Sequence, residues 1–560
     1  MTAVSHGAFD YVIVGAGSAG CVLANRLSED GRHTVALIEA GGSDRSWQIQ
    51  MPAALAYPLA GERFLWRYET EMEPHLAGRQ LNHPRGRVLG GTSSINGMMY
   101  VRGHPLDFDR WREEGCSGWS FAEVHPYFRR MEACASGGDP LRGTDGPLAI
   151  RRGSADATPL NAAFLAAALE AGYPQTADIN ASRQEGAGLM EQTIRDGVRE
   201  NTANAYLKPA RGRANLTVFT HMTVQRVLIR NRRAAGVRVL CDGRNLDIIA
   251  SSEVILAAGA IGSPFLLLHS GIGPAASLKQ LGIEVVADVP AVGCNLHDHP
   301  DVVLRYLCPE PVSLHRTTLT SGKIRAGFQW FLSKTGPAAT NHFEVGAFIR
   351  SEAGIRHPDL QLSFLPLALA PGAVQSDQSI GEDGFQIHID LLRPNSRGAL
   401  VLKSSDPAEK PSLKFNYLAD PGDRRRLAKG LMLTREIIGQ QAMRRYRGRE
   451  ISPGPDVQSV DGIERWVTDN ADTAYHPVGT CRMGEAASKL AVVDPFCRVK
   501  SVEALRVVDA SIMPSIVSGN TNAATIMIAE RASDMIRGLA PQPAVSFQAW
   551  ENPRWRDVQR

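Results

Sequence analysis

Three glycines near the start of the chain have the spacing G-x-G-x-x-G: Gly15, Gly17 and Gly20. In a nucleotide-binding turn the first glycine permits the tight turn and the second lets the backbone approach a pyrophosphate. The third lets the following helix pack close to the preceding strand. A helix that begins there directs its N-terminal N–H groups and the positive end of its dipole at the phosphates. The spacing therefore predicts a phosphate-binding turn.

The segments around this turn have the order that a dinucleotide-binding unit needs. A β-rich run at residues 11–14 precedes the glycines, and a helix over 21–28 and a strand over 34–38 are predicted to follow. That strand ends at Glu39, nineteen residues beyond Gly20, where a carboxylate can accept hydrogen bonds from ribose hydroxyls and would repel a 2′-phosphate. The unit disfavours NADP, but it does not by itself separate NAD from FAD.

The composition is typical of a soluble globular protein with several domains. At 560 residues the chain is too long for a single core. Lys and Arg total 61 against 58 Asp and Glu, so a net charge of +3 gives no reason to expect a nucleic-acid partner. The eight cysteines form no C-x-x-C pair, which argues against a zinc site and favours a reducing compartment.

Neither end of the chain predicts export or membrane spanning. The first nine residues lack a basic and an apolar region of the signal-peptide type, and no apolar run approaches the roughly eighteen residues that cross a bilayer. We therefore expect a cytoplasmic protein. The tail at residues 547–560 combines Trp550 and Trp555 with arginines, which leaves peripheral contact with the inner face of the membrane open. Pro553 interrupts any amphipathic helix there, which favours a tail docked on the protein.

A second group of candidate ligand-binding residues lies between residues 84 and 103. Arg87 precedes a Gly-Gly turn, and a run of small polar residues then leads to Asn96 and Gly97. Such a run can place backbone N–H groups and hydroxyls against a ligand. The alternative is a loop that caps the following helix.

Further along the chain, the predicted type of secondary structure changes twice. Strand-like segments at 215–228, 235–240 and 253–256 indicate that the nucleotide-binding fold resumes after a polar, turn-rich interruption at about 156–199. From about 303 to 473, alternating strand-like segments indicate an antiparallel sheet from a separate domain.

Five blocks of the chain, taken together, resemble the glucose-methanol-choline (GMC) family of FAD-dependent alcohol oxidoreductases. They are GAGSAG with Glu39, RVLGGTSSINGM, GAIGSPFLLLHSGIGP, AYHPVGTCRMG and VVDASIMPSIVSGNTNAATIMIAE. They occur in order and cover nearly the whole chain. Within the family the chain is most similar to the bacterial choline-oxidising members, through MPAALAYPL, NHFEVGAFIRS, YRGREISPG and HPVGTCRMG. The resemblance implies FAD rather than NAD.

The fold that the resemblance implies is α/β, with a Rossmann-like FAD-binding domain of the glutathione-reductase type and an α+β substrate domain built on an antiparallel sheet. The expected FAD-binding domain comprises residues 1–155, 200–302 and 474–538, the substrate domain 156–199 and 303–473, and the C-terminal tail 539–560.

The resemblance also implies the residues that hold FAD. Those expected at the ADP half are Gly15, Gly17, Ser18, Glu39 and Ala40, with Val224 near the adenine. Those expected elsewhere along the cofactor are Arg87, Thr92, Asn96, Gly97, Met98, Asp509, Ala510, Asn520 and Thr521. In some relatives a histidine of the S-S-x-N block is bonded covalently to the flavin. Ile95 stands at that place here and cannot form such a bond, so we expect non-covalent FAD.

Alcohol oxidation removes a hydroxyl proton and a hydride from the same carbon, so the site must pair a proton acceptor with the flavin N5. The resemblance assigns the proton acceptor to His476, whose ordinary pKa of about 6.5 leaves it mostly neutral at cellular pH. Pro477 biases the histidine backbone to an extended conformation. Asn520 is expected to donate its amide to the alcohol or alkoxide oxygen. The alternative is an asparagine in a turn before a helix.

The substrate is predicted from Glu344. A period of two residues along 343–349 places Glu344 on one face with Gly346 and Phe348, and a carboxylate beside an aromatic ring suits a quaternary ammonium. Choline, oxidised to betaine aldehyde, is therefore the expected substrate; the alternative for Glu344 is an exposed or salt-bridged residue. The sequence LHDHP at residues 296–300 invites a metal interpretation, but Asp and His in a turn more often make hydrogen bonds, and we expect no metal.

The predicted function is an FAD-dependent dehydrogenase of a primary alcohol that passes electrons to a quinone, another carrier or oxygen. Three alternatives remain open at this point. The first is a GMC oxidase or dehydrogenase of an aliphatic, aromatic or sugar-like alcohol. The second is a lyase in which FAD is only structural, and the third is a non-catalytic FAD-binding protein.

Overall fold

Two seven-stranded sheets dominate the computed structural model, which describes residues 4–134, 140–370 and 379–560. The predicted segments 1–155 and 303–473 also include residues outside these ranges.

The strands, in chain order, are β1 (Val4–Val14), β2 (Val35–Ile38), β3 (Leu65–Trp66), β4 (Arg85–Gly86), β5 (Met99–Tyr100), β6 (Glu132–Cys134), β7 (Leu148–Arg152), β8 (Gly186–Leu189), β9 (Glu191–Gln192), β10 (Ile194–Arg195), β11 (Val198–Arg199), β12 (Leu216–Phe219), β13 (Thr223–Arg230), β14 (Arg233–Cys241), β15 (Arg244–Leu256), β16 (Ile272–Gly273), β17 (Ala287–Asp288), β18 (Cys294–Leu296), β19 (Pro300–Leu307), β20 (Val345–Ile349), β21 (Leu360–Leu365), β22 (Gly384–Leu391), β23 (Gly398–Val401), β24 (Ser412–Lys414), β25 (Glu450–Ser452), β26 (Asp472–Thr473) and β27 (Leu505–Val507).

The α-helices, in chain order, are α1 (Ser18–Leu27), α2 (Trp47–Gln50), α3 (Ala56–Ala60), α4 (Pro105–Glu113), α5 (Phe121–Met131), α6 (Pro159–Glu170), α7 (Lys208–Ala210), α8 (Gly259–His269), α9 (Ala275–Gln280), α10 (His315–Thr318), α11 (Thr320–Ser333), α12 (Pro421–Gly439), α13 (Val460–Asn470) and α14 (Asn522–Ile536).

The first large sheet contains the predicted glycine turn. Its strand order is β12-β2-β1-β15-β14-β13, and β27 also pairs with β15. β1 runs parallel to β2 and β15, and β12 and β27 extend this parallel part, whereas β13 and β14 are antiparallel. All four residues of β2 are buried, as expected for a parallel strand that is covered on both faces.

The carboxyl ends of four parallel strands meet at one edge of this sheet. β1 leads into Gly15, β2 into Glu39, β15 into Ala257, and β27 is followed closely by Asp509. Ligands of open α/β sheets bind in the crevice outside these strand ends. The fold therefore brings together segments that lie hundreds of residues apart in the sequence.

The second large sheet is antiparallel throughout, with the order β25-β19-β22-β21-β20-β8 and with β26 paired to β19. One of its faces packs against α12, where a Cβ added at Gly430 would lie 2.9 Å from Ile389 Cγ2. Side chains alternate between the two faces of a strand, so His388 and Asp390 lie on the opposite face from Ile389. That face is turned toward the cavity described below.

The segment 156–199 is more regular than its composition predicted. It contains the 12-residue helix α6, which begins with the Thr158 side chain as N-cap and with Pro159 at the first helical position. Two of its strands join different sheets: β8 belongs to the second large sheet, and β9 to a small sheet with β5, β6 and β7. The exact domain boundaries stay predictions.

The C-terminal tail contacts the body of the protein. The backbone N–H of Trp550 donates to the Ser182 carbonyl at 3.0 Å, and the Arg183 guanidinium lies 4.0 Å from the Trp550 ring centroid. Arg350 donates to the carbonyls of Trp555 and Val558 at 3.1 and 2.8 Å. In the described part of the chain, no helix combines the length and the apolar character that crossing a bilayer requires.

Candidate active site

A cavity of about 1100 Å³ is lined both by the strand ends of the first large sheet and by the inner face of the second. Every residue predicted to contact FAD lines this cavity: Gly15, Gly17, Ser18, Glu39, Ala40, Arg87, Thr92, Asn96, Gly97, Met98, Val224, Asp509, Ala510, Asn520 and Thr521. The predicted base His476 lines it as well, but Glu344 does not.

The glycine turn has no room for side chains. Gly15 has a φ of +96°, and a Cβ there would lie 2.7 Å from the Ala257 carbonyl oxygen. At Gly20 a Cβ would lie 1.8 Å from the Gly15 carbonyl oxygen, so this glycine does let α1 pack against the end of β1. A Cβ at Gly91, which has a φ of +53°, would lie 2.6 Å from the Gly17 Cα. These contacts leave bare backbone at the start of α1, as phosphate binding requires.

Two further observations fit an adenine dinucleotide in this part of the cavity. The Glu39 carboxylate, only 5% exposed, accepts from the N–H groups of Ala16 and Gly41 at 3.0 and 2.8 Å. Burial raises its pKa to about 7 against the effect of these donors. Arg87 stacks 4.8 Å from the Trp66 ring centroid, and its buried Nε has no partner among the described residues. Such a buried donor at a cavity wall suits a ligand with acceptor oxygens.

The segment near Asn96 is held by a residue that the sequence did not single out. The Arg199 guanidinium, completely buried, donates to the Asn96 side chain at 2.9 Å and to the backbone carbonyls of Asn96 and Ile49 at 2.7 and 2.8 Å. Burial lowers the pKa of Arg199 to about 9. No motif marked Arg199, because its partners come from distant segments.

On the other side of the cavity, Asp509 joins two chain segments. Its carboxylate accepts from the Gly259 N–H at 2.9 Å, from the Ser263 hydroxyl at 2.5 Å and from the Ser511 N–H at 2.8 Å. The start of α8 is thereby fixed to the turn after β27. Ile95 also lines the cavity and packs in an apolar cluster with Ile49 and Phe64.

The predicted catalytic pair is in contact. Asn520 Nδ2 lies 3.1 Å from His476 Nε2, and His476 Nδ1 lies 3.1 Å from Nδ1 of a second histidine, His299. The other nitrogen of His299, Nε2, lies 3.0 Å from the Leu392 carbonyl oxygen. His299 is completely buried.

These contacts select one tautomer of His476. A carbonyl oxygen only accepts, so neutral His299 keeps its proton on Nε2 and presents a lone pair at Nδ1. His476 must then donate from its own Nδ1, which leaves His476 Nε2 unprotonated beside the Asn520 amide. Burial, together with His299 and Arg85, holds the pKa of His476 well below its usual range. The ring is therefore a neutral base with its lone pair beside the cavity.

Asp298 fixes both histidines by their backbones. Its buried carboxylate accepts from the N–H groups of His476 and His299 at 2.7 and 2.8 Å, and from the hydroxyls of Tyr417, at 2.5 Å, and Thr473. The LHDHP segment thus makes hydrogen bonds, and no group of residues able to hold a metal ion is found in the described ranges.

The prediction for Glu344 is corrected by the structure. Strand β20 begins one residue later, at Val345, and Phe343 rather than Glu344 lines the cavity. Glu344 is 1% exposed and accepts from the Ser154 N–H at 2.9 Å and from the Thr340 hydroxyl, with Arg151 at 3.5 Å. Its carboxylate therefore binds protein donors rather than a ligand. The prediction is wrong because an alternating pattern does not tell which face of a segment meets the ligand.

The inner face of the second large sheet carries a polar row beside the catalytic pair. Directly paired residues of antiparallel strands lie on the same face, and here Gln361 pairs with Asp390, Asp390 with Asp301, and Asp301 with Asp472. All four line the cavity. Gln361 Nε2 lies 3.4 Å from Asn520 Oδ1, which connects this row to the catalytic pair.

The fold and the cavity are those of a dinucleotide-binding protein that places a neutral imidazole beside its ligand cavity. The chain belongs to the GMC oxidoreductase family, whose models match residues 9–301 and 394–529. It is an FAD-dependent oxidoreductase that acts on CH–OH groups, and the predicted family, fold class and type of chemistry are confirmed.

Two curated relatives match nearly the whole chain. The oxygen-dependent choline dehydrogenase of Photobacterium profundum is 47% identical over 553 residues, which are 99% of this chain and 97% of the relative. That of Brucella anthropi is 49% identical over 548 residues, which are 98% of this chain and 99% of the relative.

Solved structures agree with this assignment. Pyridoxine 4-oxidase from Mesorbium loti matches with a TM-score of 0.84 at 32% identity, covering 95% of this chain and 99% of that one. Formate oxidase from Aspergillus oryzae, described with FAD modification, matches with a TM-score of 0.89 at 27% identity, covering 96% and 99%.

Proposed function

We propose that this protein oxidises a primary alcohol to the aldehyde, with choline as substrate and betaine aldehyde as product, and that His476 is the base. The observation that carries the proposal is the position of His476 Nε2, 3.1 Å from the Asn520 amide nitrogen and beside a cavity lined by the residues expected to hold FAD. Bound FAD supplies the acceptor for the two electrons that leave the alcohol carbon.

His476 and Asn520 have different roles toward the substrate hydroxyl: the first accepts its proton and the second donates a hydrogen bond to its oxygen. An alcohol oxygen between the two side chains gives its proton to His476 Nε2, and the Asn520 N–H donates to the oxygen as negative charge develops there. His299 holds the base in the required tautomer, and the Asp298 carboxylate holds the backbones of both histidines. A positioned general base typically contributes about 10² to 10⁴ in rate.

We propose that FAD is bound without a covalent bond. The residues that would hold it are the fifteen predicted contacts that line the cavity. Ile95 supports the non-covalent mode, because its aliphatic side chain lacks a nucleophilic atom and packs against Ile49 and Phe64. Precipitating the purified protein with acid should leave the yellow colour in the supernatant. A yellow pellet that keeps its flavin after washing would contradict this.

Choline as the substrate is supported by the choline dehydrogenases that are 47% and 49% identical to the chain. A second candidate is a non-cationic alcohol, and it is favoured by the engagement of Glu344 with Ser154 and Thr340 away from the cavity. For the electron acceptor we propose oxygen, which the relatives' name contains, with a quinone or another carrier as the alternative. We propose a cytoplasmic location with peripheral contact at the inner face of the membrane.

Anaerobic flavin reduction tests the function. The purified yellow protein should bleach on addition of choline, and a series of aliphatic, aromatic and sugar alcohols defines the preference. Bleaching with neutral alcohols but not with choline would favour the second candidate. A flavin that stays oxidised with every alcohol would contradict alcohol oxidation and favour a lyase. Peroxide formed per turnover in air decides between oxygen and another acceptor.

A further inference from the structure

Asp390 is a buried carboxylate with no side-chain partner in the part of the chain that the structure describes. It is 6% exposed and lines the cavity, and its carboxylate makes no hydrogen bond or ion pair with the described residues. Its neighbour in the row, Gln361, is 1% exposed and has a buried Oε1 that also lacks a donor. Buried acceptors without donors are rare in folded proteins. Gln361 Oε1 is such an acceptor, and the Asp390 carboxylate beside it on the cavity wall would be satisfied by a positively charged or hydrogen-bond-donating ligand.

The surrounding charges are consistent with a cation. Asp301, directly opposite Asp390, accepts from the His388 ring and from the Ile389 N–H at 2.8 and 3.0 Å, and Asp472 follows on its other side. Arg305 lies on the same face of β19, but it forms no ion pair with Asp390. Burial and the neighbouring carboxylates raise the pKa of Asp390 well above its ordinary value.

We infer that Asp390, flanked by Asp301 and Asp472, binds the cationic end of the alcohol substrate. The inference rests on the proposed function and names the part of the site that recognises a quaternary ammonium. Such a group has no N–H to donate, so it needs carboxylates at short range rather than oriented acceptors. Gln361 contacts both Asn520 and the row, which places the cation site next to the group that binds the hydroxyl.

Tetramethylammonium is the probe, because it has the cation without the hydroxyl. It should inhibit the FAD-loaded wild type competitively against whichever alcohol is turned over, and Asp390→Asn should raise its inhibition constant about tenfold or more. Glu344→Gln, a matched loss of a carboxylate away from the cavity, should leave the constant within about twofold. Equal constants in wild type and Asp390→Asn, or a larger change in Glu344→Gln, would overturn the inference.

This experiment separates the cation site from the proposed function. Bleaching of the wild type by choline tests the function, whereas inhibition by tetramethylammonium tests the site with any alcohol. For choline turnover, Asp390→Asn should raise KM about tenfold while the KM for the uncharged isostere 3,3-dimethyl-1-butanol changes by less than about twofold. Equal effects on the two alcohols would contradict a cation site.

A different observation concerns helix α11, whose packed face is small. Ala326 and Trp330 lie on one side of the helix and pack against Met51 and Ala54. Trp330 is 3% exposed, and its Nε1 donates to the Gly197 carbonyl at 2.7 Å. The helix is thereby fixed to the body of the protein.

The opposite side of α11 is apolar and exposed. At about 3.6 residues per turn, four large side chains fall on one face, away from Ala326 and Trp330. They are Ile324, 68% exposed, Phe328, 66%, Phe331, 55%, and Leu332, 73%. Isolated exposed apolar residues are ordinary, but a contiguous group marks an interaction surface.

The charged residues in the sequence around α11 have one sign. Between Glu310 and Glu344 the sequence contains no acidic residue, while Arg316, Lys323, Arg325 and Lys334 are basic. On the helix, Arg325 borders the apolar face beside Leu332, whereas Lys323 lies on the side of Trp330. Trp47 and Tyr57, on the helices before and after residues 51–54, are 41% and 37% exposed. Apolar and aromatic side chains between basic ones are typical of helices that lie in a membrane interface.

From these features we propose that the exposed face of α11 docks on an anionic lipid bilayer surface. The apolar side chains enter the acyl boundary, and the basic residues meet the headgroups. The segment beneath α11 also forms a wall of the cavity, since Ala53, Leu55 and Leu59 line it. Docking therefore brings this wall of the active-site cavity close to the membrane.

Vesicle sedimentation tests this proposal with the FAD-loaded protein. Wild type should sediment with phosphatidylcholine vesicles that contain 30% phosphatidylglycerol, and less with phosphatidylcholine alone or at high salt. Phe328→Ser combined with Leu332→Ser should lower the bound fraction at least fivefold, with flavin content and turnover unchanged. Leu490→Ser, a control at an equally apolar site that is 64% exposed, should bind like wild type. Unchanged binding of the double variant would overturn the proposal. A wild type that is dimeric in solution, with a double variant that is monomeric, would also overturn it, because the apolar face would then be a dimer interface.

Discussion

The Nδ1 atoms of His299 and His476 lie 3.1 Å apart, so a single proton is shared by two rings that come from distant parts of the chain. Two protons cannot occupy this contact without repulsion, and the Leu392 carbonyl keeps the proton of His299 on its far side. In the proposed reaction His476 Nε2 takes a proton from the substrate, and the Nδ1–H bond to His299 would stabilise the resulting imidazolium. His299 is thus a positioning residue for the base.

Replacing His299 tests this role. In His299→Ala the His476 ring loses its acceptor, so both tautomers become populated and the pKa of His476 rises as water enters. We expect kcat to fall about 10²-fold with little change in KM, and the acid limb of the pH profile to move upward. His299→Asn restores an acceptor oxygen and should recover part of the rate. A loss of kcat without a shifted profile or a rescue would indicate a structural role only.

Replacing His476 itself should have a larger effect. His476→Ala removes the proton acceptor, and we expect turnover to fall by about 10³-fold or more while FAD stays bound, since the ring is one of many cavity-lining side chains. Stopped-flow bleaching under anaerobic conditions measures the chemical step. His75→Ala, at an exposed histidine, is the control and should match wild type. Unchanged bleaching in His476→Ala would refute its role as base.

Cofactor retention depends on the bare backbone at Gly91. A Cβ there would lie 2.6 Å from the Gly17 Cα, and neither backbone can move without opening the phosphate turn. Gly91→Ala should therefore lose most of its FAD during purification, as measured by the ratio of flavin to protein absorbance. Gly212→Ala, where nothing lies within 4 Å of the new Cβ, should retain wild-type flavin. Full flavin content in Gly91→Ala would contradict this account of the turn.

The phosphate-binding turn can be predicted from the sequence because its features lie close together in the chain. Glycine spacing, the strand before it and the acid after the second strand all lie within residues 10–42, and each is seen at the predicted place. The helix begins at Ser18 rather than Cys21, since the first turn of a helix carries no side-chain pattern of its own. The contact of His476 with Asn520 was likewise indicated by motif position.

The residues that face the substrate are harder to predict from the sequence, because their positions depend on the register between distant strands. A single strand predicts alternation but not which face meets the cavity, so the pattern assigns Glu344 to the ligand and does not mark Asp390. The row of Asp390, Asp301 and Asp472 exists only through the pairing of β22, β19 and β26. His299 reaches His476 through the same pairing. No local pattern encodes such contacts.

The corrected position of Glu344 makes a prediction that distinguishes structure from recognition. Glu344→Gln weakens the bonds from Ser154 N–H and Arg151 in a buried site, which should lower stability by about 1 to 3 kcal/mol. Thermal unfolding followed by flavin fluorescence should show a reduced Tm, with KM for choline unchanged. A selective rise in the KM for choline at wild-type stability would return Glu344 to the substrate site.

Buried His299 also makes stability depend on pH in a way that one variant can isolate. Burial lowers its pKa to about 4, whereas an unfolded histidine titrates at about 6.5. Between these values the unfolded chain binds a proton that the folded chain refuses, so the folded state loses stability as pH falls, by up to about 1.4 kcal/mol per pH unit. Above pH 6.5 this contribution is constant.

Buried carboxyls such as Glu39, whose pKa is raised, act with the opposite sign, so the total curve is not diagnostic. The difference between wild type and His299→Asn cancels these groups, since asparagine does not titrate. We expect wild type to lose stability relative to His299→Asn as pH falls from 6.5 toward 5, measured from urea unfolding at each pH. A difference that is independent of pH would mean that His299 becomes protonated in the folded protein as readily as in the unfolded chain.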